Sequence, residues 1–321
     1  MPIVRELTFI DCENLLSQEF PPTVDSLRIE RYHGQLGSLF EASMQVERCL
    51  QHLYISDCSS SISIGCLPTT LRTLEINNCD KLEFPFPHSH KFLERICIKN
   101  SCDFLISFPL NSFPKLNMLS IHGCKTLESL YVLDGLCQDL TSLSYLYILV
   151  CPNFASFPKG GLSATNLTKL KIGQCDKLKF LPEKMHTLFP SLQYLDISDR
   201  PDVELFPEAS FPLSLLKLDI ANCNKLIASR MSWNLRRLSA LENFSNGAES
   251  ADLKSFPEEG LLPTAITSLT ISGISCLKIL DMKRMQELTS LKELWLGDVT
   301  VVISKPLLAL YCRSTSGQEL Y

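Results

Sequence analysis

Apolar and polar positions along this chain follow a nine-residue phrase that returns from one end to the other. It runs: an aliphatic residue, two variable residues, Leu, one variable residue, Ile, two variable residues, Cys. Leu71-Arg72-Thr73-Leu74-Glu75-Ile76-Asn77-Asn78-Cys79 is one full copy, and the phrase recurs at residues 4–12, 50–58, 116–124, 143–151, 167–175 and 215–223. In each copy the Leu-x-Ile core puts two apolar side chains on one face and the residue between them on the other, which is the period of a short β-strand. Such a strand cannot bury its apolar face alone. Stacked copies bury it together, as parallel strands with Leu and Ile ladders running through a shared core.

Weaker copies fill the intervals. Val24-Leu27-Ile29 has Tyr32 in the Cys slot, and Leu93-Ile96-Ile98 reaches Cys102 one residue late. Leu192-Leu195-Ile197 meets Arg200 there, Ile266-Leu269-Ile271 meets Ile274, and Leu291-Leu294-Leu296 meets Val299. The most degenerate copy reads Leu235-Leu238-Ala240, with Asn243 in the slot. About thirteen copies at a mean period of about 24 residues define a leucine-rich repeat. The expected fold is an α/β solenoid, a leucine-rich-repeat horseshoe with a concave parallel β-sheet and a mostly irregular or 3-10 convex side. The array is expected over residues 1–298, with a non-repeat C-terminal tail at 299–321. The first copy starts at residue 4, so the reading expects a fragment of a longer protein.

The second half of each repeat has its own signal. Leu82, Leu127, Leu178, Leu226 and Leu277 follow the slot, and Phe-Pro or Leu-Pro pairs come next at 108–109, 157–158, 181–182, 206–207 and 256–257. Proline ends regular structure, so these segments read as irregular or 3-10 turns with Phe plugging the core. Met185–Phe189 reads as a helical turn.

Composition narrows the partners. Net charge is −5, which suggests neither nucleic acid nor an anionic membrane as a general partner. Of the 14 Cys, at least half sit in the repeat slot, where a small buried thiol can donate to a turn carbonyl. Side chains stacked in parallel are poorly aimed for bridging, so reduced thiols and a cytoplasmic location are expected. No secretory signal or membrane-spanning apolar run is visible, and the sequons at Asn166 and Asn243 read as chance matches.

No constellation of catalytic residues stands out. The pair His88 and His90 falls in a Pro-flanked loop, no Cys-x-x-Cys occurs, and Lys159-Gly160-Gly161 reads as a turn. No nucleophile elbow frames a Ser. Neither catalytic activity, nor a cofactor, nor a metal is expected. The outward residues of the strands are the better place to look. Tyr145 and Tyr147, then Lys169 and Lys171, Tyr194 and Asp196, and Lys217 and Asp219 fall on successive copies of the concave face. Aromatics among mixed charges are favoured at protein interfaces. A smaller group joins His52 and Tyr54 to Thr73 and Glu75, and Arg237, Glu293 and Trp295 lie further along.

The phrase Leu-x-x-Leu-x-Ile-x-x-Cys-x-x-Leu with Phe-Pro turns resembles the repeat region of plant intracellular nucleotide-binding leucine-rich-repeat disease-resistance proteins, the coiled-coil class in particular. Residues 253–264, Leu-Lys-Ser-Phe-Pro-Glu-Glu-Gly-Leu-Leu-Pro-Thr, carry that resemblance most specifically, and Pro158-Lys159-Gly160-Gly161-Leu162 echoes them. The resemblance implies protein–protein recognition in innate immunity, with a pathogen effector or the nucleotide-binding switch domain of a full-length receptor as partner. No Gly-x-x-x-x-Gly-Lys-Ser/Thr loop occurs in this sequence, so the switch itself is not in it. The alternative is a generic leucine-rich-repeat interaction module, such as the substrate-recruiting arm of a ubiquitin ligase.

Overall fold

The structure, a computed structural model, describes residues 3–12, 21, 23–34, 49–59, 62–63, 67–83, 90–133, 139–158, 162–182, 184–199, 203, 211–247, 255–272, 279–297 and 312–313. His88, the Lys159-Gly160-Gly161 turn, the slot positions Arg200, Ile274 and Val299, the 206–207 pair, Leu277 and most of the tail lie outside the described residues. So does the side chain of Leu82. The chain forms two compact units, Met1–Asn166 with Cys175–Lys177, and Leu167–Gln174 with Leu178–Tyr321.

Each unit is a stack of leucine-rich-repeat turns. In the first, the described strands of the main sheet are β1 (Glu6–Ile10), β2 (Ser26–Glu30), β3 (His52–Ser56), β4 (Thr73–Asn77), β5 (Arg95–Lys99), β6 (Met118–His122) and β7 (Tyr145–Leu149). Each pairs in parallel with the next, without offset. The second holds β8 (Lys169–Gly173), β9 (Tyr194–Ser198), β10 (Lys217–Ala221), β11 (Asn243–Gly247), β12 (Ser268–Ser272), β13 (Glu293–Gly297) and a short β14 (Cys312–Arg313) paired to β13.

The zero offset gives the phrase its meaning. Residues at the same place in successive copies stack, so Leu53, Leu74, Ile96, Leu119 and Leu146 form one buried ladder and Ile55, Ile76, Ile98, Ile121 and Ile148 another. Burying each such side chain contributes about 1.5–3 kcal/mol. The Cys slot lies just past the strand. The thiols of Cys58, Cys79 and Cys151 donate to the carbonyls of Ser56, Asn77 and Leu149, two residues earlier, at 3.2, 3.2 and 3.3 Å. In the copy where Cys102 comes late, the slot itself holds Ser101. Its buried hydroxyl donates to the carbonyl of Lys99 at 2.7 Å, which is the same bond made by oxygen.

Between strand and slot each described turn holds a residue with positive φ. Asp11, Arg31, Asp57, Asn78, Asn100, Gly123, Val150, Gln174, Asp199 and Asn222 fill that place. Asn, Asp and Gly tolerate it, and several also bond along the stack. The amide of Asn78 donates to Asp57 Oδ1 at 2.9 Å, and that of Asn222 to Asp199 Oδ1 at 2.7 Å. Arg31, Gln174 and Val150 depart from that set, and of these Val150, at φ 55°, is the β-branched one, strained in this region. Val150→Asn should therefore stabilise the fold by about 1 kcal/mol, read as a raised midpoint of urea unfolding, whereas Val150→Ile should gain nothing.

The return half of the turns is mainly irregular. It carries 3-10 turns at Leu110–Ser112, Arg230–Trp233 and Leu235–Arg237, and helical turns at Met185–Leu188, Asn224–Ala228 and Met282–Met285. Short parallel ribbons also form there, Ser107–Pro109 with Ser129–Tyr131 and Ser255–Phe256 with Ile279–Leu280. Phe108, Phe154, Phe189, Phe211 and Phe256 fill the core behind the sheet.

One copy is placed differently from the sequence reading. Leu235 and Leu238 do not start a strand: they are buried in and after the 3-10 turn Leu235–Arg237. The strand is Asn243–Gly247, with Phe244 opposite Leu218 and Leu269, and Asn246 opposite Ile220 and Ile271. Asn243 is thus the first outward strand residue, not a slot residue. Arg237 leaves the sheet face altogether and donates a guanidinium hydrogen bond to the carbonyl of Phe211 at 2.5 Å. The displacement has a simple cause. A polar residue stands where the phrase demands Ile, so the true copy is hidden from an apolar template.

Candidate protein-binding face

The outward strand residues stand in rows, because the pairing has no offset. In the second unit Lys169, Tyr194 and Lys217 are register partners in the first row, and Lys171, Asp196 and Asp219 in the next. The structure brings five of these six into one interlocked group. Lys171 Nζ lies 3.3 Å from Asp196 Oδ2, and Lys217 Nζ lies 3.1 Å from Asp219 Oδ2. Both ammonium groups also sit over the Tyr194 ring, 4.9 and 5.1 Å from its centroid, within cation–π range.

The Tyr194 hydroxyl lies 2.9 Å from Asp219 Oδ2 and 3.1 Å from Asp196 Oδ2. It has one proton, so it donates to one carboxylate at a time. Asp196 and Asp219 face each other directly across β9 and β10, a like-charge pairing that is unfavourable by itself. The two lysines and the phenol between them offset that repulsion. Each charge in the group is matched within it, so the cluster is a rigid, half-buried aromatic platform rather than an acid–base pair poised for chemistry.

Burial first, and then the negative charges of Asp196 and Asp219, hold the Tyr194 phenol well above the usual tyrosine range. The folded chain keeps this proton where the unfolded chain loses it, near pH 10. The contribution is therefore complete below about pH 10 and declines as pH rises further. Tyr194→Phe should make the alkaline decline of stability shallower. Urea midpoints at about pH 9 and about pH 11 measure this, and an unchanged slope would refute the assigned role of the hydroxyl.

In the first unit Tyr145 and Tyr147 project from β7 opposite Met118 and Ser120 of β6. Their rings meet edge to face, with centroids 6.4 Å apart. Both are half-buried, and burial together with the neighbouring Tyr145 raises the phenol of Tyr147.

The smaller group predicted from sequence also comes together. His52 and Tyr54 of β3 and Thr73 and Glu75 of β4 line a hollow of about 300 Å³ with Glu6 and Thr8 of β1 and Ser26 and Arg28 of β2. The guanidinium of Arg28 stacks on Tyr54, 4.0 Å from the ring centroid, and pairs with Glu30. The sequence reading missed Arg28, Glu6, Thr8 and Ser26. They occupy the same two rows as His52 and Tyr54, and following those rows back along the earlier copies would have found them. Glu293 and Trp295 stand on β13, as expected.

Burial holds the slot thiols of Cys124 and Cys151 in the protonated form. Burial pushes the Cys124 thiol up to about 12, far from the thiolate form that reacts.

No family model matches the chain. Proteins of Arabidopsis thaliana named for disease resistance do. One is 37% identical over 311 residues, covering 94% of this chain and 22% of its own length. The chain is a leucine-rich-repeat array similar to plant disease-resistance proteins. A second such protein, RPP13-like by name, is 34% identical over 136 residues, 40% of this chain and 13% of its own. The disease resistance protein RPP4 is 24% identical over 327 residues, 99% of this array and 26% of its own length. The array thus spans about a quarter or less of the relatives it matches. Among solved structures, a leucine-rich-repeat protein of Leptospira interrogans overlays at a TM-score of 0.48 and 16% identity, over 91% of this chain and 72% of that one.

Proposed function

We propose that this array is the recognition part of a plant disease-resistance protein in innate immunity, and that it binds a protein partner through the solvent-facing side of its sheets. The observation that carries the reading is the 37% identity to a disease-resistance protein along 94% of the chain. A leucine-rich-repeat array with such relatives fits a recognition module rather than an enzyme. The partner is a pathogen effector, or the nucleotide-binding switch domain of a full-length receptor. Tyr145 and Tyr147 in one unit, and Lys169, Lys171, Tyr194, Asp196, Lys217 and Asp219 in the other, are the proposed contact residues. Half-buried aromatics braced by charges present contact area at little entropic cost.

The proposed location is the cytoplasm. Cys58, Cys79, Cys102, Cys124 and Cys151 carry free buried thiols on successive turns, which suits a reducing compartment. No helix among the described residues is long and apolar enough to cross a membrane.

The test is affinity capture. Tagged chain is expressed in pathogen-challenged plant tissue, and the captured proteins are compared with those held by a variant carrying Tyr145→Ala, Tyr147→Ala and Lys171→Ala. The reading expects the partner to be lost while circular dichroism is unchanged. Full retention by the triple variant would remove Tyr145, Tyr147 and Lys171 from the contact surface.

A further inference from the structure

The hollow on β1–β4 differs from the Tyr194 cluster in one respect that defines its ligand. In the Tyr194 cluster both carboxylates are paired with lysines. In the hollow, Arg28 is taken up by Glu30 and by the ring of Tyr54, and neither Glu6 nor Glu75 enters an ion pair among the described residues. The hollow therefore presents uncompensated negative charge at two places, with polar and aromatic surface from Ser26, His52, Tyr54 and Thr73 between them.

Register sets the distance between those two charges. Glu6 stands in the first row on β1, and Glu75 in the next row on β4, three strands away. Three strand steps of about 4.8 Å and two residues along a strand of about 3.3 Å each separate the two backbone positions by roughly 16 Å. An extended peptide rises about 3.3 Å per residue, so side chains four residues apart stand about 13 Å apart on one face, and two long basic side chains splayed outward by about 3 Å in total meet both carboxylates. We infer that this hollow binds an extended segment of the protein partner that carries two basic residues separated by three others, lying across β1–β4. The occupant is set by charge complementarity: one cation meets Glu6, the other meets Glu75, and the residues between pack on His52 and Tyr54. The inference rests on the proposal that the solvent-facing side of the sheets is the recognition surface.

The experiment uses the full chain and capped synthetic peptides. One probe is acetyl-Arg-Gly-Ser-Gly-Arg-amide. A second has the same composition with its two arginines adjacent, and a third has glutamates in place of the arginines. Binding is followed by chemical-shift changes in the full chain. The first probe should shift resonances of Thr8, His52, Tyr54 and Thr73. It should bind several-fold tighter than the adjacent-arginine probe, and the glutamate probe should not bind there. The paired substitution Glu6→Gln and Glu75→Gln, at positions outside the core ladders, should weaken the first probe about tenfold, the sum of two exposed ion pairs. Equal binding of the first two probes, no shifts at the hollow, or no effect of the paired substitution would each overturn the inference. The same variant separates this inference from the broader reading. If the captured partner survives Glu6→Gln with Glu75→Gln but is lost from the Tyr145, Tyr147 and Lys171 variant, the hollow is not its site and the recognition face stands. If it survives both sets, the recognition face falls as well.

Discussion

Ile172→Asp is expected to cost about 4–5 kcal/mol, enough to unfold the second unit in mild denaturant. Ile172 is wholly buried and stacks on Ile197 in the ladder behind β8 and β9. An aspartate there meets only apolar neighbours, so it is either charged without a partner or protonated without an acceptor, and both are unfavourable in a close-packed interior. The adjacent residue gives the control. Lys171 points to solvent, so reading the chain one residue out of register would exchange the two roles. The control is Lys171→Gln rather than Lys171→Asp, because Asp at 171 would set a third carboxylate beside Asp196 and Asp219. Lys171→Gln removes one ion pair with Asp196, itself exposed by about a third on the lysine side, and should cost about 1 kcal/mol or less. Urea unfolding followed by circular dichroism measures both variants, and equal losses would contradict the register.

Asn246→Ile should act in the opposite direction, with a gain of about 2–3 kcal/mol. Asn246 is 1% exposed, at a ladder position between Ile220 and Ile271, and among the described residues neither its amide nitrogen nor its carbonyl oxygen has a hydrogen-bond partner. Isoleucine removes two unsatisfied polar atoms and continues the ladder with a side chain its neighbours already pack against. The measurement is the shift in the urea midpoint, with Asn246→Asp as the opposite control, expected to destabilise strongly. A loss of stability in Asn246→Ile would mean that the amide has a role in holding this turn which the ladder geometry does not account for.

These two residues also show how far the amino-acid sequence alone reaches. Ile172 reads as a core residue from the phrase itself, because its copy is complete from Leu167 to Cys175 and the alternation leaves one possible face. The same logic gives the rows of outward residues, and hence Tyr194 beside Lys217 and Asp196 beside Asp219. Asn246 is not legible in this way, since the template recognises a copy by its apolar residues and this one has Asn at the Ile place. A neighbouring stretch with better-spaced leucines, 235–240, takes its place. Its leucines are buried, but in and just after a 3-10 turn. Burial pattern alone does not separate a strand from a tight turn that presents the same face.

Part of the turn chemistry is legible as well, though not through apolar spacing. The residue before the slot is Asp, Asn or Gly in most copies, which is the signature of a left-handed position, and Val150 stands out once that column is read. The pairings within the Tyr194 cluster are out of reach. Which lysine meets which aspartate depends on rotamers chosen among several similar partners, and residue spacing does not encode that choice. The hollow at β1–β4 falls between these cases. Its rows follow from register, but its open volume depends on Ser26, Thr8 and Thr73 being small beside Arg28 and Tyr54.

The most direct test of the recognition face is hydroxyl-radical footprinting of the chain alone and in complex with the captured partner, read residue by residue by mass spectrometry. Tyr145, Tyr147 and Tyr194 are half-buried on the strand face, whereas Phe104 and Phe180, on the return half of the turns, are 65% and 75% exposed. The account predicts that the partner slows modification of the three tyrosines and leaves Phe104 and Phe180 at their free rates. Protection of Phe104 or Phe180 with the tyrosines unchanged would contradict it and place the partner on the opposite side of the repeats.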